Sequence, residues 1–337
     1  MRMPETEVLT GNIIMTRIRL ARNVYGAPFS LTDMDLSEEI IKNVSRSLVN
    51  FGSFDLYRMA ELSEERAESM KEKHLISSRL MKNPAGAALI DENEGVSVMI
   101  GEEDVLREQC FKKGLCLYEV YDKLDRIDDE ICKNTDIAFD KDLGFLTACT
   151  TNLGTGLRAS VMMFLPALTE SGKMNDLVAE MDRLGLTVRG LYGEGSDGEG
   201  YVYQISNEVT LGVTERDILD SVNNAVLRIC EAERAVEDKL YGGKKQLNVM
   251  DKAKKAYGIL TNAVLLDYNE FLKYTAQVKI GAILGLLPIN DIDKIDDLII
   301  KVRPYNLCME YGRKLTETDE KLYRAEMVGK ELTLLKE

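Results

Sequence analysis

One helix, following Thr214, is written more firmly than any other element and divides what the chain can fold into. Thr214-Glu-Arg-Asp217 opens it in a capping-box pattern, and apolar residues recur at 218, 222, 225, 229, 232, 236 and 240. Gly242-Gly243 stops it, with Lys244-Lys245 just beyond. Before this helix, runs rich in β-branched or aromatic residues predict strands at 13–20, 96–100, 145–149, 160–165, 187–192 and 201–205. Apolar positions 117, 120, 121, 124, 127 and 131 predict another amphipathic helix. After the glycine pair no strand pattern returns, and 248–264, 267–278 and 314–329 read as helices. The fold class is therefore α+β, with a mixed domain over 1–243 and a smaller all-helical domain over 244–337. The stripe Val249, Ala253, Tyr257 and Leu260 in that second domain serves either as a homodimer interface or as packing on the first domain.

A chain of 337 residues accommodates two domains and buries about three-quarters of its unfolded surface. Lys plus Arg is 43 and Asp plus Glu is 57, a net charge of −14 that repels a phosphate backbone and argues against nucleic-acid binding. The six cysteines, at 110, 116, 132, 149, 230 and 308, include no C-x-x-C pair, so they read as reduced thiols without zinc-ligand spacing. The N-terminus has no apolar signal region. The longest apolar runs, 161–168 and 282–289, each contain a proline and fall short of the roughly 18 residues a membrane span needs. The expected location is cytoplasmic, with no membrane partner.

Two glycine patterns, 154–159 and 193–198, fit the loose G-x-G-x-x-G/A template of dinucleotide sites. That template needs a helix after it. Both segments lead instead into strand-like sequence, so glycine-rich turns explain them better, and neither ends as a P-loop does.

The arginines are more unusual. Arg17 and Arg19 stand two apart within an apolar run, which places both on one face of a strand. Arg107 follows Glu102-Glu103-Asp104, Arg158 adjoins a glycine-rich turn, and Arg189 ends a strand. Single arginines are ordinarily surface residues. Several at the ends of apolar strands in an acidic chain also fit a polyphosphate clamp, because guanidinium forks match phosphate oxygens. Glu103 and Glu194 adjoin these arginines and either pair with them or bind a cationic substrate beside the phosphates. Cys149 is a candidate reactive thiol or a small core filler.

Together TRIRLARN (16–23), EEDVLR (102–107), CTTNLGTGLRASV (149–161), RGLYGEG (189–195) and YQISNEVTLGVTE (203–215) resemble the phosphagen (ATP:guanidino) phosphotransferases. EKHLIS (72–77), ERA (233–235) and the YGIL and NA pairs of 257–263 narrow the resemblance to the bacterial protein-arginine kinases, as does a start close to the arginine strand without the family's helical N-terminal domain. The resemblance implies an antiparallel sheet flanked by helices, ATP and Mg²⁺ as reactants, and transfer to arginine side chains of basic proteins. Alternatives are a kinase of free guanidino metabolites and an inactive scaffold. It further implies an open substrate site, an adaptor or activator, protease–chaperone partners and a homodimer.

By position, the resemblance assigns Arg17, Arg19, Arg107, Arg158 and Arg189 to the phosphates. Met15, Thr16, Ile18, Ala159, Ser160, Val161, Met162, Gly190, Leu191, Tyr192 and Gly193 would line the nucleotide, and His74, the only histidine, would contact it. Glu103 and Glu194 would grip the guanidinium beside Cys149. No side chain would bind the metal directly, with Glu102 reaching it through water. The chain departs from the family at Gly101, Val105 and Thr150. Of the family's phosphoarginine-reading R-D-x-x-R-A motif only Arg324 and Ala325 survive in 320–325, which argues against that sensing.

Overall fold

The computed structural model describes residues 11–190 and 199–335. Its centre is an eight-stranded, wholly antiparallel sheet with strand order β2-β3-β4-β5-β1-β8-β10-β9. In chain order the strands are β1 (Ile13–Arg22), β2 (Phe54–Arg58), β3 (Ala87–Asp91), β4 (Val96–Ile100), β5 (Leu106–Lys113), β8 (Leu157–Phe164), β9 (Leu186–Gly190) and β10 (Val202–Asn207). The short strands β6 (Phe139–Asp140) and β7 (Gly144–Phe145) form a separate hairpin. β1 lies at the centre because its inward face, Ile18 and Leu20, is almost completely buried.

Most of the first domain's helices cover that face, while Ala67 and Met70 pack with Ala88, Ile90 and Met99 on the other. α1 (Met34–Leu48), α2 (Glu64–Glu72) and α3 (Leu117–Asn134) precede β6, α4 (Pro166–Glu170) and α5 (Met174–Arg183) follow β8, and α6 (Glu215–Tyr241) follows β10. α3 buries Leu117, Val120, Leu124, Ile127 and Ile131, the stripe its spacing predicted. Thr214 and Asp217 form the reciprocal capping box of α6. The α6 stripe differs at one turn, where Ala232 is exposed and Glu233 is buried instead. The Glu233 carboxylate accepts from the amides of Ala167 and Leu168 at 2.7 and 2.9 Å, so it caps α4 rather than packing as a hydrophobe would.

Other departures have similar local causes. The strand predicted at 145–149 ends at Phe145, because side chains take over its backbone groups: Asn23 Nδ2 donates to Leu146 O and the Ala148 amide donates to Asp104. β5 (LREQCFKK) has too few apolar residues to read as a strand, yet both its neighbours pair with it. β2 and β3, α1, α2, α4 and α5 were likewise not among the predicted elements.

After Gly242 come α7 (Gln246–Asn262), α8 (Tyr268–Ile283), α9 (Asp293–Lys301), α10 (Pro304–Glu310) and α11 (Glu317–Leu334). They enclose an apolar cluster of their own. Ala253 and Leu260 are buried in it, so the stripe considered as a dimer interface is consumed within the chain. Arg324 is also enclosed, donating to the carbonyls of Val302 and Leu266 at 3.0 Å each, which leaves no free fork for phosphoarginine. The two parts meet where Glu72 of α2 accepts from the Asn306 amide at 2.9 Å and Ser69 donates to the Asn306 side chain at 2.7 Å.

Candidate active site

Sheet register gathers the arginines. Residues directly opposite on neighbouring strands share a face, as do residues two apart on one strand. Arg17, Arg19 and Ala21 therefore share a face of β1; Arg158 stands opposite Arg19, and Arg107 opposite Ala21. Ser160 stands opposite Arg17, Ser206 opposite Ser160, and Gln204 opposite both Met162 and Arg189. All five arginines thus project from one face of the sheet, although they come from four strands and span most of the first domain. They line one cavity of about 310 Å³, with Glu102, Glu103, Asp104 and Cys149 beside them.

Among the described residues the cations of this cavity are only partly compensated, Glu102 pairing with Arg107 alone. Arg17 is lowered to about 10, first by burial and then by Arg107 and Arg158. Arg19 is pushed well below the usual range by burial and by Arg17, Arg107 and Arg158, against which Glu102 acts only weakly. Arg158 is lowered by burial and Arg189. The Nε atoms of Arg17, Arg19 and Arg158 are buried without a hydrogen-bond partner among the described residues. Guanidinium groups held together against their mutual repulsion, with donors unmet, constitute a preformed site for a multiply charged oxyanion. Gln204, not among the expected site residues, accepts from Arg17 Nη2 at 2.9 Å and holds that fork without neutralising it.

The acids sit beside Arg107, on the turn between β4 and β5. Burial would raise Glu102, but Arg107, the Ser77 hydroxyl and the Glu103 amide together hold it below its ordinary value. Its contact with Arg107 is 2.5 Å. Glu103 is exposed at the cavity edge and has no ion pair among the described residues. Asp104 is buried and ties the turn to the Cys149 loop: it accepts from Asn23 Nδ2 at 2.8 Å, the Ala148 amide at 2.6 Å and Asn152 Nδ2 at 3.3 Å. The Cys149 thiol lies 3.0 Å from the Thr151 hydroxyl. Cys149 stands in this loop and not at a strand end.

The sequence departures leave the turn intact. Gly101 has φ +86°, and an added Cβ there would lie 2.7 Å from Asn83 Nδ2, so glycine suits the position. Val105 is fully buried, its amide donates to Asn23 Oδ1 at 2.8 Å, and its carbonyl closes the turn by accepting from the Gly101 amide at 2.8 Å. Gly156, at φ +64°, allows the Arg22 side chain and the Ala21 carbonyl to approach to where a Cβ would sit.

Not every expected residue lines the cavity. Thr16, Ile18, Ala159 and Val161 alternate to the opposite face and are buried there, while Met15, Ser160, Met162 and Gly190 are not among its lining residues. His74 also lies outside the lining. It is lowered to about 4 by burial and then by Arg17 and Arg303, and its carbonyl accepts from Gln109 at 2.9 Å. Leu191, Tyr192, Gly193 and Glu194 lie outside the described residues. Ala21, Thr151, Asn152 and Gln204 line the cavity without having been expected to; register alone identifies Gln204 and Ala21.

The comparisons agree with this geometry. Residues 36–236 match the family "ATP:guanido phosphotransferase, C-terminal catalytic domain", and residues 246–337 match "Protein-arginine kinase McsB C-terminal domain". A protein-arginine kinase of Clostridium acetobutylicum is 40% identical over 332 residues, covering 95% of this chain and 96% of the relative. One from Caldanaerobacter subterraneus subsp. tengcongensis is 38% identical over 327 residues, covering 95% and 96%. Among solved structures, a lombricine kinase superposes with a TM-score of 0.59 at 27% identity, covering 68% of each chain. The duplicated taurocyamine kinase of Schistosoma mansoni, with bound transition-state-analogue components, gives 0.63 at 25% identity, covering 81% of this chain and 41% of that one. With likeness along nearly its whole length and an oxyanion cavity on the shared fold, the chain belongs to the ATP:guanido phosphotransferase family.

Proposed function

We propose that this protein transfers the γ-phosphoryl group of ATP to a guanidinium nitrogen of arginine side chains in proteins. The observation that carries the reading is the convergence of five arginines on one cavity that is also lined by Glu103, an exposed carboxylate with no ion pair among the described residues. The protein-arginine kinases that match this chain end to end favour a protein-borne arginine as acceptor.

Phosphoryl transfer passes through a loose transition state, so positioning and charge stabilisation dominate. Arg17, Arg19, Arg107, Arg158 and Arg189 would hold the phosphate oxygens in place of one another's repulsion. Glu103, with Glu194 as the second carboxylate implied by family position, would orient the guanidinium through charge-assisted hydrogen bonds. As the N–P bond forms, the Pγ–O bond to ADP breaks, ADP keeps the electron pair, and the nitrogen's proton passes to a carboxylate. A guanidinium is protonated well above neutral pH, so alignment contributes more than deprotonation of the free cation. Cys149 would contact the acceptor.

Mg²⁺ supplies neutralisation of phosphate charge when bound. Among the described residues no group of three or more His, Cys, Asp or Glu side chains is arranged to hold it, so phosphate oxygens and waters would carry it, with Glu102 as an outer carboxylate. We place the domain boundary at 243/244, supported by an apolar cluster built only from residues after it, although Ala276 and Ile280 of α8 pack into the first domain's core. A cytoplasmic location belongs to the same reading and fits the six free cysteines; no helix among the described residues is long and apolar enough to cross a membrane. An adaptor, protease–chaperone partners and a homodimer complete the reading.

Incubation with ATP and a basic protein, followed by mass spectrometry at neutral pH, is expected to find phosphate on arginine. Turnover confined to free arginine, with none on protein, would overturn the acceptor assignment.

A further inference from the structure

A second cavity, of about 510 Å³, opens between the end of α3, the β6–β7 hairpin and the start of α6. Its wall already holds one guanidinium. Arg22, the last residue of β1, faces away from the phosphate cavity, and its Nη2 reaches Asp128 of α3 at 2.7 Å. Its guanidinium carbon lies 3.5 Å from the centre of the Phe145 ring. That pair satisfies Asp128 and leaves the rest of the cavity anionic.

Asp129, Asp136 and Glu215 line the same space and make no salt bridge among the described residues. Thr135 lines it too: only 6% exposed, it has a hydroxyl with no hydrogen-bond partner among the described residues. Phe139, packed edge-on against Phe145 at 5.2 Å, leaves 59% of its surface exposed there. Unneutralised carboxylates, an unmet hydroxyl and a free aromatic face suit a planar cation with several donors. A guanidinium forks to carboxylates and stacks on rings, whereas an ammonium is a compact, strongly hydrated point charge.

The cavity lies on the other side of the end of β1 from the phosphate site, Arg22 lining the one and Ala21 the other. Phe145 lines one and Cys149 the other, with three residues between them, so their backbones are at most about 15 Å apart. An extended peptide covers that distance in about four or five residues. Resting on the assignment of protein-borne arginine as acceptor, we propose that this acidic, aromatic cavity docks a second arginine of the same substrate segment while the first occupies the transfer site. The substrate class is thus an extended segment with two arginines a few residues apart.

The test uses the full chain and two peptides, one with arginines four residues apart and one with alanine replacing the non-phosphorylated arginine. For the unmodified protein, KM for the two-arginine peptide is expected to be about tenfold lower, which is about 1.4 kcal/mol. The double variant Asp129→Asn/Asp136→Asn, both at exposed positions, is expected to bring the two KM values together while kcat and the KM for ATP stay unchanged. A preference retained in the double variant, or none in the unmodified protein, overturns the docking site. Lysine at the docking position is expected to restore little of the preference, and full restoration would overturn the guanidinium assignment. Phosphorylation of neither peptide would instead overturn the acceptor assignment on which the site rests.

Discussion

Asn23 and Asp104 share a buried hydrogen bond of 2.8 Å that joins the end of β1 to the turn carrying Glu103. Asp104 also holds the Ala148 amide and Asn152, so one carboxylate sets the distance between the turn of Glu103 and the Cys149 loop. Replacing Asp104 with Ala would leave these donors unmet, at a cost of roughly 3 kcal/mol. Calorimetry should register that loss, and turnover is expected to fall about tenfold or more because the loop loses its anchor. A folded variant with normal turnover would mean that the loop positions itself.

Glu103 makes no ion pair among the described residues, so the proposed reading leaves its charge to the acceptor. Glu103→Gln keeps shape and removes charge. Turnover is expected to drop by about two to three orders of magnitude, with ATP binding retained. Steady-state kinetics beside nucleotide titration separates the two effects; unaltered kcat would remove Glu103 from the reaction.

Mutual repulsion among the cavity arginines costs the resting fold stability that a bound polyanion restores. Arg19→Met is therefore expected to raise the melting temperature of the nucleotide-free protein and to weaken the stabilisation given by ATP or inorganic tripolyphosphate. Ligand at a hundred times its Kd stabilises by about 2.7 kcal/mol, ample for thermal-shift measurement. A nucleotide-free variant less stable than the parent would count against stored repulsion.

His74 is the only histidine, so its ionisation can be followed alone by NMR. Burial, then Arg17 and Arg303, lower it from 6.5 to about 4. The unfolded chain binds a proton at 6.5 that the folded chain refuses, so this group's contribution is full at neutral pH and is lost as pH falls from about 6.5 to 4. The expected loss is about 3 kcal/mol. His74→Asn, which tolerates the residue's φ of +61°, should flatten that part of the stability profile. An imidazole titrating near 6.5 would refute the arrangement.

The elements with one buried stripe were legible from sequence. α3 and α6 appear where periodicity and capping placed them, since both signals are local. β5 was illegible because it is buried by neighbours on both edges and needs no apolar alternation of its own. Phe145–Cys149 misled because its backbone partners, Asn23 and Asp104, lie far away in the chain.

The sequence by itself determined that two arginines share one face of β1, that a capped helix closes the mixed domain, and that motifs of a phosphotransferase family stand in order. Spacing within a segment fixes such things, because helix and strand periods are properties of the local backbone. Only tertiary structure decided that Arg107, Arg158 and Arg189 join Arg17 and Arg19, that Gln204 stands among them, and that Arg22 turns away toward Asp128. Cross-strand register sets which residues share a face, and a slip of one position would have sent each arginine to the other side of the sheet.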